Sequence, residues 1–167
     1  MQRAVVLAVL AVAAAALILI PFRPTGFATA RDARSYTTPL FIVETVRYPA
    51  FATVEAPAGG TVPLGLNTDP GSLGFGLLPA GESEGTRSLN VDNTKAATIK
   101  VKLEASGPIA SRLTFDQRAF ILPPGVKMTV AVTFHAAGAS PANFSGEVAV
   151  VTLEPRNPLA EAILPWM

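Results

Sequence analysis

Alternation of apolar and polar residues runs through most of this chain from residue 39 onward. The clearest case is the segment 98–104. In it, Ile99, Val101 and Leu103 alternate with polar side chains. Because successive side chains of a β-strand point to opposite faces, the pattern predicts strands in a sheet with one buried and one solvated face. Helical periodicity is nearly absent from this region, so we expect an all-β fold.

Turn-forming sequences interrupt the alternation at short intervals. Clusters of Pro, Gly, Asp, Asn and Ser occur at residues 69–71, 79–81, 92–93, 106–108, 123–125 and 140–141. Many short strands separated in this way are typical of a β-sandwich or barrel rather than of alternating strands and helices. The strands that we predict span residues 39–48, 51–56, 60–66, 72–77, 86–92, 98–104, 112–115, 118–122, 127–134 and 146–153.

An uninterrupted apolar run from Ala4 to Ile20 precedes the alternating region. At ~1.5 Å per residue it would extend roughly 25 Å as a helix, close to the ~30 Å hydrocarbon core of a bilayer. Pro21 ends the run, and Ala28 and Ala30 then form the small-x-small pattern that signal peptidase recognises. Two interpretations stay open: a transmembrane anchor with an extracytoplasmic domain at the cell membrane, or a signal cleaved after Ala30 that leaves a secreted protein. We favour the anchor, because the run is long and the small residues lie well beyond it.

Four parts follow from these patterns. They are a hydrophobic leader helix (1–20), a stalk linker without periodicity (21–38), the β-domain (39–156) and a short helical apolar tail (157–167). The tail is predicted because Asn157 is a good N-cap and Pro158 suits the first helical position. For Trp166 two interpretations stay open: it covers one end of the core, or it contacts lipid or a neighbouring subunit.

Charge and cysteine content exclude some classes of protein. The net charge of +1 falls to −1 without residues 1–30, because these hold Arg3 and Arg23 and no acidic residue. A nearly neutral domain without a basic stripe does not predict nucleic-acid binding. The chain contains no cysteine, so we expect packing rather than disulfides to stabilise it.

Residues suited to catalysis or metal binding are scarce. His135 is the only histidine and has no cysteine to share a metal with. No serine lies in a recognisable nucleophile elbow, and no glycine-rich loop opens a helix to bind phosphate. Glu82 and Glu84 are expected to be solvated turn carboxylates. We therefore predict no catalytic residue, no metal and no cofactor, and we do not expect an enzyme.

Three features are candidate sites of modification or interaction. The sequon Asn143-Phe144-Ser145 lies in a predicted loop before a strand, where a glycan would be tolerated. Phe41 and Val43 belong to the apolar segment 39–48, which could act as a donor strand in a neighbouring sheet. Trp166 is the third. We expect the N-terminal helix to bind the membrane and protein partners to exist, although the sequence does not identify them.

Several stretches resemble PapD-like immunoglobulin-type domains of the ASH and MSP kind. Residues 64–83 contain an "LxFGxxxxG" strand and turn, and 87–93 form a strand that ends in asparagine. Residues 120–134 are similar to the "FxLxPGxxxxVxVxF" hairpin, and 145–150 to the closing strand. The resemblance covers about 61–153. It implies an immunoglobulin-like β-sandwich of an exported envelope protein, archaeal or bacterial.

The expected function is that of a non-enzymatic, envelope-exposed protein that acts in structure or adhesion through one immunoglobulin-like domain. The alternative is a subunit of a surface filament or assembly that is joined by strand addition. An exported hydrolase is the lesser alternative.

Overall fold

The structure is a computed structural model that describes residues 32–56, 71–81 and 83–167. The predicted leader helix (1–20), the first part of the predicted stalk and the strand predicted at 60–66 lie outside the described residues. None of the helices in the described ranges is long and apolar enough to cross a membrane.

The described residues are mostly in β-strands. The strands are β1 (Asp32–Thr37), β2 (Phe41–Glu55), β3 (Leu73–Pro79), β4 (Glu84–Asp92), β5 (Ile99–Ser106), β6 (Leu113–Phe115), β7 (Ala119–Leu122), β8 (Lys127–His135) and β9 (Ala142–Pro155). A 3-10 turn (Ala110–Arg112) precedes β6, and the tail consists of α1 (Pro158–Ile163) and a second 3-10 turn (Leu164–Trp166).

The strands form two sheets, in agreement with the predicted all-β sandwich. The large sheet has the order β1-β2-β9-β5-β7, and β3 also pairs with β2. The small sheet has the order β4-β8-β6. All pairs are antiparallel except β2 with β3, which is parallel. Since β9 occupies one edge of β2, both β1 and β3 lie along its other edge, one after the other.

One long strand, β2, replaces the two strands predicted at 39–48 and 51–56. It pairs continuously with β9 from Phe41 to Val54. The prediction of two strands with a break at residues 49–50 was wrong. Pro49 is tolerated since it falls between the last residue paired with β1, Arg47, and the first paired with β3, Ala50. Its missing N–H therefore costs no hydrogen bond on that edge.

The inner faces of the two sheets enclose the main core. The residues predicted to point inward on β5 and β8 are buried, apart from the partly buried Met128. Phe75, Phe120 and Phe134, which belong to the stretches that carry the resemblance, are buried as well. The Phe134 ring lies 5.9 Å from that of Phe75 and 5.6 Å from that of Phe144, centroid to centroid. The alternation of the sequence therefore predicted the core correctly.

A second, smaller core lies on the outer face of the large sheet. Because side chains alternate along β2, Phe41 and Val43 face away from the main core, and the tail covers them with Ala160 of α1 and Leu164 of the 3-10 turn that follows. The predicted N-cap is confirmed, since the Asn157 side-chain oxygen accepts a hydrogen bond of 2.9 Å from the Ala160 N–H. The tail is thus part of the folded domain.

Part of the predicted stalk is a strand. Residues 32–37 form β1, which pairs with residues 42–47 of β2, although 21–38 was expected to lack structure. Five of the six residues of β1 are exposed. An edge strand with so little buried surface does not require apolar alternation, so it leaves no strong pattern in the sequence.

Asn93 joins the end of β4 to the turn between β7 and β8. Its side-chain amide donates hydrogen bonds to the carbonyls of Ala97 (3.0 Å) and Leu122 (2.8 Å), and its Oδ1 accepts one from the Lys95 N–H (3.0 Å). The Gly125 N–H donates to the Asn93 carbonyl (2.8 Å), and Gly125 has a positive φ of 71°, which suits the third residue of a type II turn. Asn93 is fully buried, so these bonds connect the two sheets inside the molecule.

Candidate functional site

The outer face of the small sheet carries polar side chains along all three of its strands. We call this surface the polar face. Its polar residues are Glu84, Thr86, Ser88, Asn90, Asp92, Thr114, Lys127, Thr129, Thr133 and His135, and Ala131 lies among them. They face outward because Leu89, Val91 and the apolar residues of β8 occupy the alternate positions and enter the main core.

The register of β4 and β8 brings these side chains into contact in pairs. The hydroxyls of Thr86 and Thr133 lie 3.0 Å apart, and the Thr129 hydroxyl donates to Asn90 Oδ1 over 2.7 Å. The Lys127 ammonium lies 2.8 Å from the Asp92 carboxylate, and this hydrogen bond raises the pKa of Lys127. Cross-strand pairs of this kind restrict side-chain rotation, so the polar face presents its donors and acceptors in a defined arrangement.

His135 joins all three strands of the small sheet. Its Nδ1 lies 2.7 Å from Glu84 Oε1, and its Nε2 lies 2.7 Å from the Thr114 hydroxyl. The sequence placed His135 correctly at the end of a strand but did not predict these partners. The carboxylate expected in a turn belongs instead to the first residue of β4, directly opposite His135.

Thr114, His135 and Glu84 have the order hydroxyl, imidazole, carboxylate that is used in nucleophilic catalysis. Catalysis of acyl transfer also requires donors that stabilise an oxyanion and a site sheltered from water. Here Thr114 and Glu84 are exposed on a sheet surface, and the His135 side chain retains 34% of its accessible area. The geometry therefore favours a cross-strand hydrogen-bond network over a catalytic triad.

A second ionic cluster lies where the chain crosses from β4 to β5. The Lys95 ammonium contacts Glu44 of β2 at 2.6 Å and Glu154 of β9 at 3.6 Å. The hydrogen bond to Glu44 is the main reason that the pKa of Lys95 is raised. Both carboxylates belong to the large sheet, so Lys95 ties the crossing segment to it.

A buried ion pair lies on the outer face of the large sheet. Arg47 Nη1 lies 3.8 Å from Glu147 Oε1, and both residues are at least 96% buried. Burial of charge is costly unless the charges are paired. Sequence reasoning missed this pair, because the two residues lie on different strands a hundred positions apart. Only the register, which places Ala149 opposite Arg47, brings them together.

Phe41 and Val43, which were candidates for interaction with a partner, are only 4% and 6% exposed. They lie in the interior strand β2, between β1 and β9, and contact the second core. The expectation that 39–48 is an edge strand was wrong, because the strand that precedes it, β1, was not foreseen.

Asn143 is exposed, as a glycosylation site must be, but it lies in β9 rather than in a loop before it. Its Oδ1 accepts a hydrogen bond of 2.9 Å from the Thr53 hydroxyl across the sheet. Glycosylation at this position stays a prediction.

Trp166 has 89% of its surface exposed. The interpretation that it covers one end of the core was wrong, because Leu164 and Met167, before and after it, pack against the second core while Trp166 lies on the exposed side of the tail. Phe41 and Val43 are buried beneath the tail that carries Trp166, and Asn143 lies toward the other end of β2, so the structure does not bring them together as one exposed site.

Among the described residues there is no group of three or more His, Asp or Glu side chains that could hold a metal ion. Within the described residues, the polar face is the surface whose side chains are held in the most defined arrangement, and these side chains come from β4, β6 and β8. No protein-family model matches the chain, and no curated protein is similar to it.

Proposed function

We propose that this protein is a non-enzymatic interaction protein, delivered to the outer side of a membrane and tethered there by its apolar run. Its sandwich binds a partner through the polar face. The observation that carries the proposal is the hydrogen-bonded arrangement of that face, in which Glu84, His135 and Thr114 connect three strands. A rigid surface loses little side-chain entropy on binding and thus favours recognition.

We further propose that the sandwich is of the immunoglobulin type and related to PapD-like domains. Support comes from the way the chain crosses between the sheets after each strand from β3 to β8, which is common in such sandwiches. The residues that carry the resemblance also have structural roles that fit it, since Asn93 ends β4 and Gly125 forms the turn before β8.

Location is tested by protease treatment of intact cells that produce the full chain. We expect the domain to be digested without lysis, as a secreted or tethered domain would be. Protection in intact cells together with digestion after lysis would overturn the location.

Binding through the polar face is tested by a photo-crosslinking amino acid at Ser88, which is exposed on that face. The matched control carries it at Glu104, which is exposed on β5 of the large sheet. We expect a discrete adduct from position 88 and none from position 104. Adducts from both positions, or from neither, would contradict a specific binding surface.

Strand addition is the alternative, and β1 favours it more than 39–48 does. β1 is an edge strand with five exposed residues out of six, so its free edge could accept a strand from a second copy. Size-exclusion chromatography of the full chain with and without residues 32–37 tests this. An oligomer that persists without β1 would exclude this route.

An exported hydrolase is the lesser alternative, favoured by the contacts of His135 with Thr114 and Glu84. A fluorophosphonate probe that labels the protein, and no longer labels a Thr114→Ala variant, would support it. Absence of labelling supports an interaction protein.

A further inference from the structure

Four exposed apolar side chains lie at one end of the large sheet, on its outer side. We call them the end patch: Tyr36 (50% exposed), Ile121 (39%), Leu159 (64%) and Trp166 (89%). They are four of the six most exposed large apolar residues in the described part of the chain. Tyr36 and Ile121 lie on the two edge strands β1 and β7, and the tail with Leu159 and Trp166 lies over the strands between them. Isolated apolar residues on a surface are common, whereas several that share one end and one face of a sheet favour a binding surface.

The register places these residues around the second core. Tyr36 lies opposite Val43, which α1 covers, and Lys100 lies opposite both Leu153 and Ile121. The Lys100 ammonium donates a hydrogen bond of 3.1 Å to the carbonyl of Pro165, the neighbour of Trp166. The tail is therefore fixed beside Ile121.

Helical periodicity explains why the tail is apolar on two sides. Ala160 and Leu164, four residues apart, point into the second core. Leu159 and Trp166, seven residues apart, lie on an adjacent stripe that points outward. The exposed stripe is thus not needed to hold the tail on the sheet.

Basic side chains flank the end patch. Lys100 and Lys102 project from the same outer face of β5, and neither forms an ion pair within the described residues. Tryptophan and tyrosine with adjacent lysines are typical of protein surfaces at the membrane–water interface, where the rings lie among the headgroups and the ammonium groups contact anionic lipid.

The length of chain between the apolar run and the sandwich allows such a contact. The run ends at Ile20, and β1 begins at Asp32. The residues 21–31 can reach at most about 40 Å. From Asp32, β1 extends ~17 Å toward the end of the sheet that carries the patch. The patch therefore lies within reach of the membrane surface at which the run would end.

We propose that the end patch rests in the headgroup layer of the membrane in which the apolar run is anchored, with Lys100 and Lys102 on anionic lipid. This inference rests on the proposed tether. It gives the domain a fixed orientation, in which the end patch faces the bilayer and the polar face on the other sheet remains available to a partner.

Trp166 is the only tryptophan of the chain, so its fluorescence reports on the end patch alone. The full chain is reconstituted into vesicles of phosphatidylcholine and phosphatidylglycerol, with and without bromine on the acyl chains. We expect the protein to float with the vesicles. We expect bromolipid to reduce Trp166 emission at least about twofold, and aqueous iodide to have little effect.

A matched control moves the tryptophan to the opposite end of the same face, in the double variant Trp166→Phe, Phe51→Trp. Phe51 is 40% exposed and lies ten positions from Phe41 along β2, about 33 Å away. We expect iodide to quench this tryptophan and bromolipid to leave it bright. In a second variant, Lys102→Gln, the hydrogen bond from Lys100 to Pro165 is left in place, and we expect weaker quenching of Trp166 by bromolipid; unchanged quenching would contradict the contact of Lys102 with anionic lipid.

The two proposals fail in different ways. Protein that does not float has no membrane tether, and the inference fails with it. Protein that floats while iodide quenches Trp166 keeps the tether and overturns the membrane contact of the patch. Trp166 that is shielded from both quenchers would show a protein partner or second copy on the patch, which also overturns the inference.

Discussion

Asn93 shows how one buried amide can determine the connection between two sheets. Its Nδ2 donates to two carbonyls, those of Ala97 and Leu122. In Asn93→Asp a buried carboxylate would face these carbonyls, so we expect a loss of about 3 kcal/mol in the free energy of unfolding. Urea unfolding followed by circular dichroism measures it.

The control for this prediction is Asn90→Asp. Asn90 is exposed, and its Oδ1 accepts from Thr129, a role that an aspartate oxygen can also fill. We expect a change within about 0.5 kcal/mol. Equal losses in the free energy of unfolding of both variants would mean that the hydrogen bonds donated by the Asn93 amide do not determine the effect.

Gly146 is required by a close approach of two strands. A Cβ at this position would overlap the carbonyl oxygen of Ser106 and would lie 2.8 Å from Ile109 Cγ2. Because backbone cannot yield easily, we expect Gly146→Ala to lower the free energy of unfolding by about 3 kcal/mol or more.

Gly138 provides the comparison for Gly146. A Cβ there would meet no atom within 4 Å, but φ is +64°, so Gly138→Ala introduces only backbone strain of about 1 kcal/mol. If urea unfolding showed a larger loss in the free energy of unfolding for Gly138→Ala than for Gly146→Ala, the close contact at Gly146 would matter less than backbone strain.

At the scale of elements, alternation predicted the strands that bury one face in the main core, such as β5 and β8, and did not predict β1. β5 and β8 alternate because one of their faces enters the main core. β1 has no such face. In β2 the buried face changes near Tyr48: the residues before it that are buried face the second core, and those after it face the main core. A pattern within one strand cannot show which neighbour will cover it.

The different pairing of edge and interior strands also predicts which part of the large sheet unfolds locally first. β1 pairs on one edge and buries little, whereas β9 lies between β2 and β5. Amide hydrogen exchange of the full chain, read by mass spectrometry, should therefore be much faster in 32–37 than in 146–153. Equal protection of the two segments would show that β1 is held by contacts beyond its pairing with β2.

The short helix α1 depends on its cap. The Asn157 side chain accepts from the Ala160 N–H, and removal of such a cap costs about 1 kcal/mol. In Asn157→Ala we expect faster hydrogen exchange in 158–166 and unchanged exchange in 99–106. Faster exchange in both segments would mean that the second core and the main core unfold together.

At the scale of the whole molecule, the sequence predicted the fold better than the surfaces that could act. The core follows from periodicity, which is local. The contacts of His135 with Glu84 and Thr114, and the ion pair of Arg47 with Glu147, depend on the register between distant strands. The sequence marked Trp166 as unusual, but only the packing of Leu164 and Met167 against the second core shows that Trp166 lies on the exposed side of the tail.

Lys95 links the crossing segment between the sheets to both long strands of the large sheet, and this link should weaken in alkali. Because Glu44 raises the pKa of Lys95 in the folded protein, its contribution is complete below the pKa of the unfolded chain, ~10.4, and is lost as pH rises through the raised value. The side chain is 36% exposed, so solvent screening limits the contribution to less than about 1 kcal/mol.

Urea unfolding of the wild type and of Lys95→Met between pH 8 and 11.5 measures the contribution of the Lys95 charge to stability, since the other groups titrate equally in both proteins. We expect the stability difference to be constant up to about pH 10 and to shrink above it. A difference that stays constant up to pH 11.5 would show that the Lys95 charge contributes nothing to holding the two sheets together.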